Sequence, residues 1–238
     1  MPALITDLID RPDNVELVRD QIAGILVLET ANQVALATAT SGKDPSLWQL
    51  RIFSERSNAW EMFQDPPDAS DPSSPPNFDN SPIVNIALDT STPDGSSSDI
   101  VGRQKYTALY NIDVYGRGVS ADDGSTGHYA GDEQAAIEAQ RAVRLVRSIL
   151  MSAQYLTLGF PLKPNALVWK RWVQSISMFQ PQSDGKAIQH IVAARIVLAV
   201  DFNEFSPQWD SVPLLLVSIA ITRADNGQVF LAPQFSEA

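Results

Sequence analysis

The chain has 238 residues and a net charge of −11, from 28 acidic and 17 basic residues. It contains no cysteine and only two histidines, which excludes disulfides, zinc–thiolate sites and thiol catalysis and argues against an imidazole-rich metal centre. The excess of acids argues against a protein that grips nucleic-acid phosphates, because such binding needs clustered lysine and arginine. Hydrophobic residues make up 44% of the chain, enough for a substantial core.

The sequence predicts no membrane segment. The first residues, MPALITDLIDRPDN, have no cationic stretch ahead of an apolar run, as a secretory signal would. The most hydrophobic windows, residues 22–28 and 191–200, are too short or too interrupted to span a bilayer. We therefore expect a soluble protein that is made in a cytoplasm.

The N-terminal part predicts a helix followed by an extended segment. Asp13 or Asn14 can cap a helix over residues 13–39, although its second half is poorer in large apolar side chains. An alternation of apolar residues then predicts a strand-like segment over residues 47–63. The helical spacing is carried by Val15, Val18, Ile22, Ile25 and Leu26, and the alternation by Trp48, Leu50 and Ile52.

Two polar segments separate the next predicted strands. Residues 64–82 consist mainly of proline, aspartate, serine and asparagine, which cannot bury enough apolar surface to become ordered alone. A strand is predicted at residues 83–88, and a second polar loop, residues 91–104, leads to a strand at residues 106–115. We interpret both segments as long exposed loops that can reach a neighbouring subunit.

A second helix is predicted over residues 131–154, with an apolar stripe on one side. Arg141, Arg144 and Arg147 recur every third residue in its C-terminal half, where positive charge suits the helix dipole. A solvated helix face explains these arginines, and a contact with an acidic partner or subunit is the alternative. The predicted buried stripe is Ala135, Ala139, Ala142, Val143, Val146, Ile149 and Leu150.

The rest of the chain reads as strands. They are predicted at residues 168–180, 188–203, 213–222 and 228–232, with hairpin turns at SDG (183–185) and ADNG (224–227). The order of helix, strands, helix and strands predicts an α+β fold. Its helices flank a mainly antiparallel sheet, in a single domain over residues 1–238.

No segment carries a recognisable reaction centre. The DDGSTG loop at residues 122–127 lacks the lysine of a phosphate-binding loop, so a surface loop is the simpler interpretation. His128 lies near acidic residues that cap a helix start, and His190 begins an apolar strand. Asp201 and Glu204 are a possible carboxylate pair but are more typical of a strand exit. We expect no enzyme, no cofactor and no metal.

The C-terminal part of the chain resembles a family of virion proteins. The strand YNIDVYGRG, the helix AAIEAQRAVRLVRSILM and the segment FQPQSDGKAIQHIVAARIVLAVDFNEFSP are similar to tail terminator and tail-completion proteins of tailed bacteriophages. The resemblance runs from residue 106 to the C-terminus and rests on element order and structural motifs, with no catalytic residues to transfer. The N-terminal helix region and the two polar loops make this chain longer than the smallest members.

The resemblance implies a ring-forming structural protein. Such a protein assembles as a homo-oligomeric ring, expected to be a hexamer, that ends the tail tube and joins it to the head connector. Its implied partners are itself, the tail tube protein, the connector and, in some members, the sheath, with DNA passing only as cargo. Assembly takes place in the host cytoplasm, and the protein ends up in the virion neck. Another neck, head-closure, baseplate or minor capsid component fits the same residues, and a small soluble enzyme with a carboxylate site remains the alternative from another class.

Overall fold

The structure is a computed structural model in which the chain divides into two compact units. One unit comprises residues 10–204, and the other is formed by residues 1–9 together with 205–238. The structure describes residues 8, 12–63, 81–95, 103–118, 131–161, 167–183, 186–187 and 190–205, and the short strands at 217–218, 221–222, 229–231 and 234–235. The single domain expected from the sequence stays a prediction.

The first helix, α1, spans Asn14–Ala39, as the apolar spacing predicts. It begins with a capping box, in which the backbone N–H of Asp13 donates to the Glu16 carboxylate at 3.2 Å. The helix continues through its alanine-rich second half, because alanine is the best helix former. One side is buried, through Val18, Ile22, Ile25, Leu26, Thr30 and Ala37.

The prediction of an extended segment at residues 47–63 is wrong over most of that range. A 3₁₀ turn at Pro45–Trp48 comes first, with the Asp44 carboxylate accepting from the backbone N–H of Ser46 at 3.0 Å. Only Arg51–Ser54 form a strand, β1, and Ala59–Phe63 form a second 3₁₀ turn. Glu55 ends the strand with a φ of 55°, a left-handed conformation that is incompatible with continued extension.

Five strands form the main sheet. Besides β1, they are β2 (Ile83–Pro93), β3 (Arg103–Arg117), β4 (Val168–Phe179) and β7 (Ile191–Phe205). Their order in the sheet is β1-β2-β3-β7-β4. β1 and β2 are parallel, whereas β2–β3 and β4–β7 are antiparallel. The β3–β7 contacts also run in opposite directions, since the Gly118 N–H donates to the His190 carbonyl and the Thr107 hydroxyl donates to Asp201.

The strands β2 and β3 are longer than the sequence predicts. The polar stretch after residue 88 continues as strand to Pro93, and β3 already begins at Arg103. The exposed loop predicted at 91–104 is therefore partly strand, because pairing with β3 satisfies the backbone even where the side chains are polar. Residues 64–80 and 96–102, the rest of the two predicted loops, lie outside the described residues.

The second helix, α2, spans Gly131–Leu150 and ends earlier than predicted, followed by a 3₁₀ turn at Ala153–Tyr155. All seven residues of its predicted stripe are buried. The helix packs directly on β3, where a Cβ at Gly116 would overlap the Ala135 carbonyl and the backbone of Ala139. This close approach requires a glycine in the strand.

Three short two-stranded pairs account for the remaining described strands. β5 (Gln182–Ser183) pairs with β6 (Lys186–Ala187) around the predicted SDG turn. β9 (Ile221–Thr222) pairs with β10 (Val229–Leu231) on either side of the ADNG segment, and β8 (Val217–Ser218) pairs with β11 (Gln234–Phe235). All three pairings are antiparallel; β8 and β11 enclose the β9–β10 pair in the chain.

Both helices cover the same face of the five-stranded sheet. The main core joins the buried sides of α1 and α2 to β2, β3, β7 and the start of β4. On the other face, a smaller cluster is formed by the second 3₁₀ turn, through Ala59 and Phe63, with Ile83, Tyr115 and Ala193. The architecture is α+β, with a mostly antiparallel sheet, as the sequence predicts.

Candidate functional site

The three arginines predicted as contacts lie on α2 but differ in their surroundings. Arg141 is half-buried and forms an ion pair with Glu138, one turn earlier. Arg144 and Arg147 are exposed and have no ion-pair partner among the residues that the structure describes. Because the α-helix turns about 100° per residue, a spacing of three fans the arginines over roughly 120° of the helix surface. Two of the three charges are thus available to a partner.

Arg141 and Arg144 line a shallow cleft that the sequence does not predict. Its volume is about 320 Å³, and its other wall is the 3₁₀ turn after α1, with Leu47 and Trp48. Arg141 also borders a neighbouring cleft of about 220 Å³. Both clefts arise because the turn at residues 45–48 lies beside α2, a contact that no local pattern encodes.

The cleft has a basic and aromatic character. Guanidinium groups bind carboxylates in a forked geometry, and they also stack on indole rings. Asp44 carries a charge near this cleft: its pKa is lowered by the Ser46 hydroxyl and backbone N–H, and further by Arg141. The arrangement suits an acidic side chain of a partner protein.

The side of α1 that faces away from the core is apolar and exposed. We call Gly24, Val27, Leu28, Ala31, Ala35 and Ala39 the outer face of α1, because at 100° per residue they fall within about 120° of the helix surface. Val27 is 56% exposed and Leu28 is 66% exposed. None of these six residues is charged, and the nearest charge on the same side of the helix is the exposed Asp20, one turn before Gly24. Leu36 is also exposed, but it falls at the same helical angle as the buried Val18 and does not belong to this face.

By length and composition, α1 would also be able to cross a membrane. Its most apolar window has a mean hydropathy of 1.4, and 28% of that window is buried in the protein. Residues 22–28 are not an isolated short window, as the sequence suggests, because they belong to a continuous 26-residue helix. The core helix of a soluble protein passes the same test, and α1 packs one full side against the sheet.

A partly buried ion pair links neighbouring strands on the face of the sheet opposite the helices. Arg195 on β7 donates two hydrogen bonds to Asp113 on β3, at 2.7 and 2.8 Å. The guanidinium carbon also lies 5.5 Å from the centre of the Phe179 ring. The bond to Asp113 raises the pKa of Arg195, and burial raises the pKa of Tyr115, whose hydroxyl contacts the same carboxylate. This cluster ties three strands together and is structural.

The carboxylate pair considered from the sequence does not come together. Asp201 and Glu204 lie on β7 at an odd spacing, so their side chains point to opposite faces of the sheet. The Asp201 carboxylate accepts a hydrogen bond from the Thr107 hydroxyl at 2.7 Å. Among the described residues, no three of His, Asp or Glu lie close enough to hold a metal ion, and His128 lies outside them.

Two surfaces are visible only in the structure: the cleft and the outer face of α1. The apolar content of residues 27–39 is present in the sequence, where it predicts a weak helix end. The signal for the outer face of α1 in the sequence is an alanine-rich stretch in which the positions at helical spacing carry no charge. The chain matches no protein-family model and no curated protein sequence.

Proposed function

We propose that the protein is a structural component of a tailed bacteriophage, a tail terminator or neck protein that forms a ring. The ring would stand at the head-proximal end of the tail, end the tail tube and join it to the head connector. The proposal begins with the resemblance of residues 106–238 to that family, and the α+β arrangement agrees with it. No catalytic role is proposed.

The observation that carries the proposal is the outer face of α1. Soluble monomers rarely expose contiguous apolar patches without a binding role. Here Val27 and Leu28 are mostly exposed on a helix that has already satisfied the core with its other side. A protein contact is the ordinary explanation for such a surface, and in a ring the contact is a neighbouring subunit.

A closed ring also needs two different surfaces on each subunit. Head-to-tail contacts join one patch of a subunit to a second patch of the next, unlike a two-fold contact. The outer face of α1 is apolar, and the cleft at Arg141 and Arg144 is basic. The subunit therefore carries two distinct patches, which suit an apolar and an acidic partner surface.

The charge of the chain suits a DNA channel. A ring around the exit path must let DNA pass without holding it, and a net charge of −11 repels phosphates. The proposed partners are therefore proteins: a second copy of the chain, the tail tube protein, the connector and, for a contractile tail, the sheath. DNA is only passing cargo, and the expected ring is a hexamer found in the virion neck.

Light scattering coupled to size exclusion, followed by negative-stain imaging, tests the proposal. We expect the purified protein to form rings, or to cap one end of tubes when mixed with the tail tube protein of the same phage. Leu28→Glu places a charge on the outer face of α1 and should abolish ring formation. Gln140→Glu adds the same charge at an exposed position of α2 and is the matched control.

Two outcomes would count against the proposal. A protein that stays monomeric at high concentration and leaves tubes uncapped would contradict the terminator role. Rings that form equally well from the Leu28→Glu variant would show that the outer face of α1 is not the ring contact.

A further inference from the structure

The strand β4 forms an unprotected edge of the main sheet. It is the last strand of the order β1-β2-β3-β7-β4, so its outer side borders no other strand of the described sheet. Residues 174–178 are all exposed, on both faces of the sheet. An edge of this kind presents backbone N–H and C=O groups to any strand that approaches.

The edge also lacks the usual protection against pairing. Soluble proteins protect edge strands with charged side chains, proline or short length. β4 is 12 residues long and carries Lys170 and Arg171 in its first half, but the segment VQSISMFQ at residues 173–180 contains neither a charge nor a proline. The other edge strand, β1, has only four residues, begins at Arg51, and is followed by Glu55 and Arg56. Of the two edge strands of the described sheet, β4 is therefore the one more open to pairing with another strand.

The exposed side chains of β4 separate by face. Ile176 and Met178 lie opposite Ile196 and Ala194 of β7, on the face that carries the helices. The helices do not reach this far, since Ile176 is 41% exposed and Met178 is 45% exposed. Ser177 lies opposite Arg195 on the other face. The edge is thus apolar on one face and small and polar on the other.

We infer that β4 pairs antiparallel with β4 of a second copy of this chain, around a two-fold axis at Ser177. In this register Ile176 lies opposite Met178 of the partner subunit, and Met178 lies opposite Ile176 of the partner subunit. Each apolar side chain is then covered by the other, because residues directly opposite in a pair are neighbours on one face. The two sheets join into one continuous sheet.

The strand is complementary to itself, and this favours a second copy as the occupant. Two chains that each carry −11 repel one another overall, so a contact between them costs least where neither surface is charged. Residues 173–180 form such a surface, and an uncharged self-complementary strand has no like charges to bring together. A two-fold contact also differs in kind from the head-to-tail contact that closes a ring, so the inference does not rest on the proposed function.

Disulfide trapping tests the pairing directly, because the chain has no cysteine of its own. In the proposed register, Ser177→Cys places two thiols directly opposite each other at the axis, with Cβ atoms about 4.5–5.5 Å apart, close to the roughly 3.5–4.5 Å of a disulfide. Ser175→Cys is the matched control on the same face of the same strand. Its two copies would lie about four residues apart along the pair, about 13 Å.

We expect the Ser177→Cys protein to form disulfide-linked dimers at least about tenfold faster than Ser175→Cys under mild oxidation, because only the first has bridging geometry. Equal rates for the two variants would overturn the register, and failure of both to cross-link would overturn the contact. Imaging separates this result from the ring proposal: rings without the Ser177 link overturn only the edge pairing, and linked dimers without rings overturn only the ring.

A second variant asks whether the edge drives association. Ile176→Lys with Met178→Lys adds charge where both side chains are largely exposed, so the fold should persist. Sedimentation velocity should show loss of the two-fold dimer, and the melting temperature should equal that of the wild type at concentrations where both are monomeric. A dimer of unchanged strength in this variant would overturn the inference.

Discussion

The two helices pack on the same sheet, yet their outward sides differ. α2 buries its apolar stripe and turns charged or polar residues outward, among them Glu133, Arg144 and Arg147. α1 buries an apolar side as well, but its outward side is again apolar through Val27 and Leu28. An amphipathic helix has its apolar stripe covered by the core, whereas a second, exposed apolar stripe is the kind of surface that another protein can cover. α2 has its stripe covered within the monomer, and α1 keeps an exposed second stripe from Val27 onward.

The strongest test of this difference is a charge in the buried stripe of α2. Val146 is fully buried, so Val146→Asp leaves an unpaired carboxylate in the core and should cost more than about 4 kcal/mol, enough to unfold the unit. Circular dichroism during urea unfolding measures the effect, with the exposed Ser148→Asp as control. A folded Val146→Asp variant that only fails to associate would make the α2 stripe an interface.

Substitutions at two leucines of α1 compare how much its inward and outward sides contribute to stability. Leu26 is fully buried, so Leu26→Ala should lower the free energy of unfolding by about 2–5 kcal/mol. Leu28 is 66% exposed, and Leu28→Ala should change stability of the monomer by less than about 0.5 kcal/mol. Thermal melts at low protein concentration provide the comparison. A large loss of stability in Leu28→Ala would mean that the outward side is covered within the monomer.

A hydrogen bond between α1 and the sheet should make the stability of the fold fall at alkaline pH. The buried Tyr110 hydroxyl donates to the Val15 carbonyl at 2.9 Å, and burial raises the pKa of this tyrosine above its ordinary value of 10.0. Below about pH 10 the hydroxyl is neutral in both the folded and the unfolded state. Above it, the unfolded chain loses the proton first, so the stability falls as pH rises.

Tyr110→Phe is expected to cost about 1 kcal/mol at neutral pH, the usual net value of one hydrogen bond. It should also flatten the fall in stability above about pH 10, because the titrating group is gone. Urea titrations at about pH 8 and about pH 11, on either side of the ordinary tyrosine pKa, give both numbers. If the stability of Tyr110→Phe falls with pH as steeply as that of the wild type, groups other than Tyr110 cause the alkaline sensitivity.

The smallest effect is expected where α1 meets the turn after α2. The Tyr155 hydroxyl donates a hydrogen bond to the Glu29 carboxylate. This bond, and to a smaller extent a bond from Asn32, lowers the pKa of Glu29 below its ordinary value of 4.5. A lowered folded pKa adds stability above about pH 4.5, and this stability is lost as pH falls through the folded value. Tyr155→Phe should reduce the stability difference between about pH 7 and about pH 3 by less than about 1 kcal/mol. An unchanged difference would show that the bond does not persist in solution.

Periodicity in the sequence is enough to specify the helices, the main strands and the buried side of α2. Each of these depends on apolar residues at a fixed spacing of about 3.6 or 2, and such a spacing can be read without knowing what covers it. The stripe from Ala135 to Leu150 is predicted residue by residue for this reason. The prediction fails at residues 47–63, where the left-handed Glu55 and the two 3₁₀ turns interrupt an alternating pattern.

Which surfaces remain open depends instead on tertiary packing. The row Arg141, Arg144 and Arg147 is visible in the sequence, but the cleft beside it depends on Trp48, which is distant along the chain. The Asp113–Arg195 ion pair and the bare edge of β4 likewise follow from strand order, since only placing β7 between β3 and β4 creates them. Local periodicity specifies that a side chain is apolar, whereas its exposure depends on which distant segment lies against it.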